Sequence, residues 1–417
     1  MNRRRLLIGG GITGAALAMP SLARAAVVSH PHPRLARLVE RWIAERRIAG
    51  AVLAIGRHNR GGKAMAWGYS ALAGGQFLNE DSIFRIYSMT KPVTAAAAMI
   101  LIGERRLKLD QPVADIIPAF ARIRVATDPA VDLSSRPAQR PITIRHLLTH
   151  TAGFAYANGS ATNAVERAYH DLGLVPGLRN LADERPRAPS LADFAERLAS
   201  VPLLFEPGAR WHYSLSLDLL GAVIERVEGR PFDAFLKDRI REPLDMDDTG
   251  FQVMRRSLPR LVTNYLATPA GLQPFDVPPE TVYARKPPFP FGGSGLVSTA
   301  RDYSRFAAML LGEGVFGGNE VMKPEMARLM MSNLLPEGVI GPNGQGFGAG
   351  GFVITQPPHT GQGLGTYGWA GLGGTMMWVD PHYRVHATYM AQYMPIDALP
   401  AQYAVPRAVY EDLSGTA

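Results

Sequence analysis

Ser88-Met89-Thr90-Lys91 stands at the head of an Ala-rich stretch, Thr90 to Leu101, that is apolar nearly all round and so predicts a buried helix. Residues at i and i+3 share a helical face, which brings the Lys91 amine within reach of the Ser88 hydroxyl. Burial disfavours an ammonium and readies such a lysine to take the serine proton, while a helix N-terminus favours the negative charge that then develops. The chemistry implied is attack by a serine nucleophile on an acyl carbon. The same four residues also spell an ordinary helix start, since serine is a favoured N-cap, although no other Ser-x-x-Lys occurs in the 417 residues.

Other patterns lead to less. His146 and His150 are spaced i, i+4, but no H-E-x-x-H glutamate lies between them and no third ligand is evident, so no metal site is expected. Ser294 misses the G-x-S-x-G elbow because position 296 is leucine. Gly363-x-Gly365-x-x-Gly368 has dinucleotide-binding spelling without a helix to receive a phosphate, and reads as a glycine-rich turn. The absence of cysteine excludes thiol catalysis, zinc thiolates and disulfides. No cofactor is called for.

Gly9-x-Gly11-x-x-Gly14 has the same spelling, but Pro20 interrupts any helix and the first acidic residue of the chain is Glu40, so no ribose partner stands about 20 positions on. Arg3-Arg4-Arg5-Leu6-Leu7-Ile8, the small apolar run Gly9 to Met19 and the A-x-A site Ala23-Arg24-Ala25 fit a twin-arginine secretion signal over residues 1–25, which predicts a periplasmic or secreted product. The apolar part is too short for an obvious membrane anchor. Half of the net charge of +8 belongs to this leader's arginines, and the remaining basic residues are scattered, so nucleic acid is not expected as a partner.

The elements that must position Ser88 are legible in outline. Leu35, Leu38, Val39 and Trp42 trace one face of an N-terminal helix. Ala51 to Gly56 and Ala64 to Tyr69, separated by Asn59-Arg60-Gly61-Gly62, read as an antiparallel hairpin. Helical patterns at Ile144 to Leu148, Leu191 to Leu198 and Leu217 to Val227 alternate with proline-rich loops. The last third carries a helix near Thr299 to Leu311, strands at Tyr367 to Trp369, Thr375 to Val379 and Val385 to Met390, and a closing helix near Gln402 to Leu413. Together these make an α/β domain from residues 26–110 and 291–417, with a mainly helical region, 111–290, inserted between them.

Phe84-Arg85-Ile86-Tyr87-Ser88-Met89-Thr90-Lys91 resembles the nucleophile motif of class C β-lactamases, penicillin-binding proteins and family VIII carboxylesterases. Ile142 to Gly153 and Gly295 to Tyr303 are similar to two further segments of that superfamily, and the resemblance runs from about residue 35 to 395. It implies a class C β-lactamase-like, DD-peptidase fold: an antiparallel sheet flanked by helices. The family's Y-x-N motif corresponds to Tyr213-Ser214-Leu215, which makes Tyr213 the implied proton relay between Ser88, Lys91 and the leaving group. The strand motif, K-T-G in β-lactamases, corresponds to Trp369-Ala370-Gly371 and is similar to the W-x-G of family VIII esterases. The Ser88 and Leu372 amides then form the implied oxyanion hole. Trp369, Ala370, Gly371 and Leu215 are the implied substrate-binding residues, with Gly371 admitting substrate to the strand.

The departures decide the function expected. The motif lysine and the asparagine, which help β-lactamases hold the carboxylate and amide of a penicillin, are replaced by Trp369 and Leu215. An indole removes a carboxylate partner and leaves an apolar wall that suits a neutral ester. The expected activity is an exported carboxylesterase acting on a small-molecule ester through a Ser88 acyl-enzyme. The alternatives are a β-lactamase, D-amino peptidase or amide hydrolase, an acyltransferase, and a silent penicillin-binding protein.

Overall fold

The computed structural model describes residues 31–157, 161–175 and 187–415. The leader expected over residues 1–25 lies outside the described residues.

Eight strands form the central sheet in the order Gly346–Phe347, Phe352–Val353, Tyr367–Gly371, Thr375–Asp380, Val385–Met390, Gly50–Arg57, Lys63–Ala71, Gly74–Phe77, every neighbouring pair antiparallel. The expected hairpin is present, with Leu53 opposite Met65 on one side and Tyr389 on the other. Because strand side chains alternate between faces, Val52 and Ala54 enter one hydrophobic core while Ala51 and Leu53 enter another.

The face bearing Ala51 and Leu53 is covered by the first helix, Pro33–Ala44, and the last, Ala401–Ser414, which pack on each other. The Asp412 carboxylate accepts from the amides of Arg34 and Leu35 and so fastens the closing helix to the start of the first. On the opposite face lies Ala300–Leu311, whose N-cap Thr299 accepts from Asp302 N at 3.1 Å. Behind that helix the core continues without a break into the helical region, through Thr90–Gly103, Ser216–Glu228 and Leu191–Ala199. The Ala-rich run of Thr90–Gly103 is buried from Thr90 to Leu101, and its small side chains let neighbouring helices close on it from every side.

The 111–290 region also holds strands that the helical patterns did not suggest. The largest is a hairpin of Asn264–Thr268 with Gly271–Asp276, which pairs in parallel with Tyr393–Met394. Among the described residues no helix is long and apolar enough to cross a membrane.

Candidate active site

Ser88 follows the short strand Ile83–Arg85, which pairs with Val297–Thr299, and lies in a single 3₁₀ turn, Tyr87–Met89, that runs into the helix beginning at Thr90. Tyr87 takes φ +42°, in the left-handed region that non-glycine residues rarely occupy. The turn is strapped down on several sides. Ile86 N donates to Leu296 O, Leu296 N to the Thr90 hydroxyl, and the Tyr303 hydroxyl to Met89 O.

Three side chains meet at the Ser88 hydroxyl. Tyr213 donates its phenolic hydrogen to Ser88 Oγ at 2.6 Å, and Lys91 Nζ lies 3.3 Å from the same oxygen. Lys91 is wholly buried; Nζ donates to Gly293 O at 2.6 Å and stands 4.5 Å from the centre of the Tyr213 ring. Gly293 N in turn donates to Asp218 Oδ1 at 3.0 Å. The two main-chain groups of Gly293 thus link a buried carboxylate to the buried lysine. Burial raises the Asp218 carboxyl, while the positive charge of Lys91 and the Gly293 amide pull it the other way. Gly292 and Gly293 carry no side chain because one would run into Leu217 O and the Asp218 carboxylate, respectively.

Tyr156, which the sequence did not single out, and His150, weighed there only as a metal ligand, complete the arrangement. Tyr156 packs on Tyr213 with ring centres 4.7 Å apart; burial, then Tyr213, pushes its phenol well above the ordinary range. His150 lies 4.8 Å from the Tyr213 ring, with Nδ1 3.0 Å from Ser214 Oγ. Burial, followed by Lys91, holds its imidazole well below the usual value. His146 serves elsewhere, its Nδ1 accepting from Thr143 N in a capping box. The two histidines therefore face different tasks, and among the described residues no group of three or more His, Cys, Asp or Glu is arranged to hold a metal ion.

Trp369 stacks on Tyr213 at 5.8 Å and meets Phe347 edge-on at 5.2 Å. The rings of Trp369, Tyr213, Trp211 and Tyr156 wall a cavity of about 960 Å³ that reaches Ser88, Ser294 and Leu372, while Phe347 backs Trp369 from the core. Leu372 lies at the tip of the hairpin joining Tyr367–Gly371 to Thr375–Asp380, on the same cavity as Ser88. Arg407 is the one arginine or lysine among the described lining residues, and it pairs with Glu411 at 3.1 Å.

One expected substrate contact, Leu215, takes another place. Leu215 is not among the described lining residues: it is wholly buried, because its position just before the helix Ser216–Glu228 turns the side chain into the core, where an apolar residue is at home. Gly371 does border the cavity, but its missing Cβ is explained by the nucleophile turn, since a methyl group there would overlap the Ile86 carbonyl. Ala370 lines the cavity and also packs on the core beneath the closing helix.

Residues 35–407 match the beta-lactamase family. The chain belongs to the beta-lactamase family. Protein Rv1367c of Mycobacterium tuberculosis (strain ATCC 25618 / H37Rv) is 35% identical over 374 residues, which cover 86% of this chain and 89% of that protein. Esterase EstB of Burkholderia gladioli is 33% identical over 370 residues, 83% of this chain and 86% of its own. Among solved structures, EstCE1, described as a hydrolase with promiscuous acyltransferase activity, superposes with a TM-score of 0.76 at 29% identity, covering 91% of this chain and 98% of that one.

Proposed function

We propose that this chain is a serine hydrolase of esterase type that cleaves neutral carboxylic esters through an acyl-enzyme on Ser88. The observation that carries the reading is the convergence of Lys91 Nζ and the Tyr213 hydroxyl on Ser88 Oγ, in a cavity whose wall beside them is the indole of Trp369. The names of the relatives EstB and EstCE1, an esterase and a hydrolase, support the same reading.

In the proposed cycle, Ser88 Oγ bonds to the ester carbonyl carbon and its proton passes to the Lys91–Tyr213 pair. The carbonyl π electrons move to oxygen, where the Ser88 and Leu372 amides receive the charge. Collapse breaks the carbon–alkoxy bond, and Tyr213 returns the proton to the departing alcohol. Water then attacks the acyl-serine, gives its proton to the same pair, and releases the acid as Ser88 takes the proton back. An alcohol in place of that water would make the reaction an acyl transfer. The promiscuous acyltransferase activity of EstCE1 favours this second reading of the same site.

A β-lactam presents a carboxylate, and an indole offers it no charged partner. Side-by-side turnover of p-nitrophenyl butyrate and a chromogenic cephalosporin tests the preference. Ester turnover should exceed cephalosporin turnover by orders of magnitude, and the reverse ranking would reassign the chain to β-lactam chemistry. We further propose twin-arginine export, on the strength of Arg3-Arg4-Arg5 and Ala23-Arg24-Ala25. Replacing Arg4 and Arg5 by lysine should then retain the full-length chain in the cytoplasm on fractionation, and unchanged export would rule that route out.

A further inference from the structure

The strained turn at Tyr87 and the loop that carries Leu372 come from distant parts of the chain, yet an oxyanion hole works only if its two amides are held at a fixed spacing. One buried side chain bonds to both segments. Gln392, 4% exposed, accepts through Oε1 from Arg85 N at 3.0 Å and from Arg85 Nη1 at 3.3 Å. Its Nε2 donates to Arg85 O at 3.2 Å, to Ala391 O at 2.9 Å and, more distantly, to Gly373 O at 3.5 Å. Arg85 lies three residues before Ser88, and Gly373 directly follows Leu372.

The fit on the loop side is close. A Cβ on Gly373 would come within 2.7 Å of Gln392 Nε2 and 2.8 Å of the Tyr87 ring. The next residue along, Tyr393, donates its own amide to Gly373 O at 3.0 Å. On the nucleophile side, Arg85 is wholly buried and anchored by Asp276 at 2.6 Å, Val262 O at 2.6 Å and Thr281 at 3.3 Å, while Asn264 donates to the Tyr87 hydroxyl at 2.7 Å. The Asn264–Asp276 hairpin therefore holds one flank of the strained turn, and Gln392 ties the other to the loop.

We infer that Gln392 is a positioning residue that sets the spacing between the Ser88 and Leu372 amides. This rests on the reading of Ser88 as the nucleophile. A carboxamide suits the task because it offers both an acceptor for Arg85 N and donors for Arg85 O and Gly373 O. Glutamate keeps only the acceptor and methionine keeps neither.

The test compares Gln392→Met and Gln392→Glu with the unaltered protein on p-nitrophenyl butyrate, with active sites counted by a fluorophosphonate. The kcat per titrated site should fall about 10- to 100-fold while KM stays within about twofold, because oxyanion contacts strengthen only in the transition state. The Ki of a phosphonate transition-state analogue should rise in step with the loss in kcat/KM. A purely structural role would lower the melting temperature and the titrated fraction but leave kcat per site and Ki unchanged, and that result would overturn the inference. If neither variant accumulates folded, Gln392→Asn, which keeps both polar atoms on an arm one methylene shorter, should show the same kcat loss at constant KM, and a wild-type kcat would overturn the inference equally. Ser88→Ala, run alongside, separates the two claims: a fully active Ser88→Ala removes the nucleophile reading itself, whereas an inactive Ser88→Ala with wild-type kinetics in the Gln392 variants removes only the brace.

Discussion

Gly371 lies against the carbonyl of Ile86, two residues before Ser88, so closely that a Cβ on it would overlap that oxygen. The strand end and the nucleophile turn are therefore packed main chain to main chain, with Thr375 Oγ1 also 3.4 Å from Ile86 O. Gly371→Ala must push the two apart. It should cost about 1–3 kcal/mol of stability, as overpacking commonly does, and lower kcat on an ester substrate more than the loss of folded protein accounts for. Thermal melts with kcat per titrated site check both parts.

Tyr213→Phe keeps the ring that packs on His150, Tyr156 and Trp369 but deletes the hydrogen donated to Ser88. It should lower kcat by about 10²- to 10⁴-fold, the range for loss of a proton-transfer group, with little change in KM. Steady-state kinetics beside a circular dichroism spectrum of unchanged shape would separate this from misfolding.

The segments nearest the chemistry were the most legible, because their constraints are local. The apolar runs around Ala51–Tyr69, Thr90–Leu101 and Thr375–Met390 mark buried elements, and the structure forms strands and helices there. Tyr156, Asp218, Gly293 and Gln392 gave no such signal. Each acts through a partner far along the chain, as in the Arg85–Gln392 pair separated by 307 positions, and no local pattern encodes that. Leu215 shows the converse: a motif position can persist while its side chain turns from the cavity into the core. The reason for the doublet Gly292-Gly293, two helices closing on a backbone with no room for Cβ, is a property of packing alone.

Trp369→Ala removes the indole that stacks on Tyr213 and walls the cavity. Losing the burial offered by a large apolar side chain should raise KM for a butyryl ester by about tenfold and more for longer acyl chains. A series of p-nitrophenyl esters of rising chain length measures this directly. Trp369→Lys should shift preference toward substrates that carry a carboxylate.

His386 is buried with Nε2 2.8 Å from Arg60 O, and burial holds its imidazole at about 4, against 6.5 when free. The unfolded chain takes a proton that the folded site refuses. The stabilisation is therefore complete above pH 6.5 and is lost as pH falls through about 4. His386 should account for roughly 3 kcal/mol of acid destabilisation across that window. His146, also held at about 4 by burial and then by Arg140, adds in the same direction. Urea unfolding at a series of pH values should show the slope, and His386→Gln should flatten it by about one proton.

The most direct test of the nucleophile is turnover of p-nitrophenyl butyrate by the unaltered protein and by Ser88→Ala, with rapid-mixing detection of the acyl-enzyme burst. The unaltered protein should release a stoichiometric burst followed by steady turnover, and Ser88→Ala should show neither while melting at the same temperature. Undiminished turnover by folded Ser88→Ala would contradict the assignment of Ser88 and, with it, the proposed mechanism.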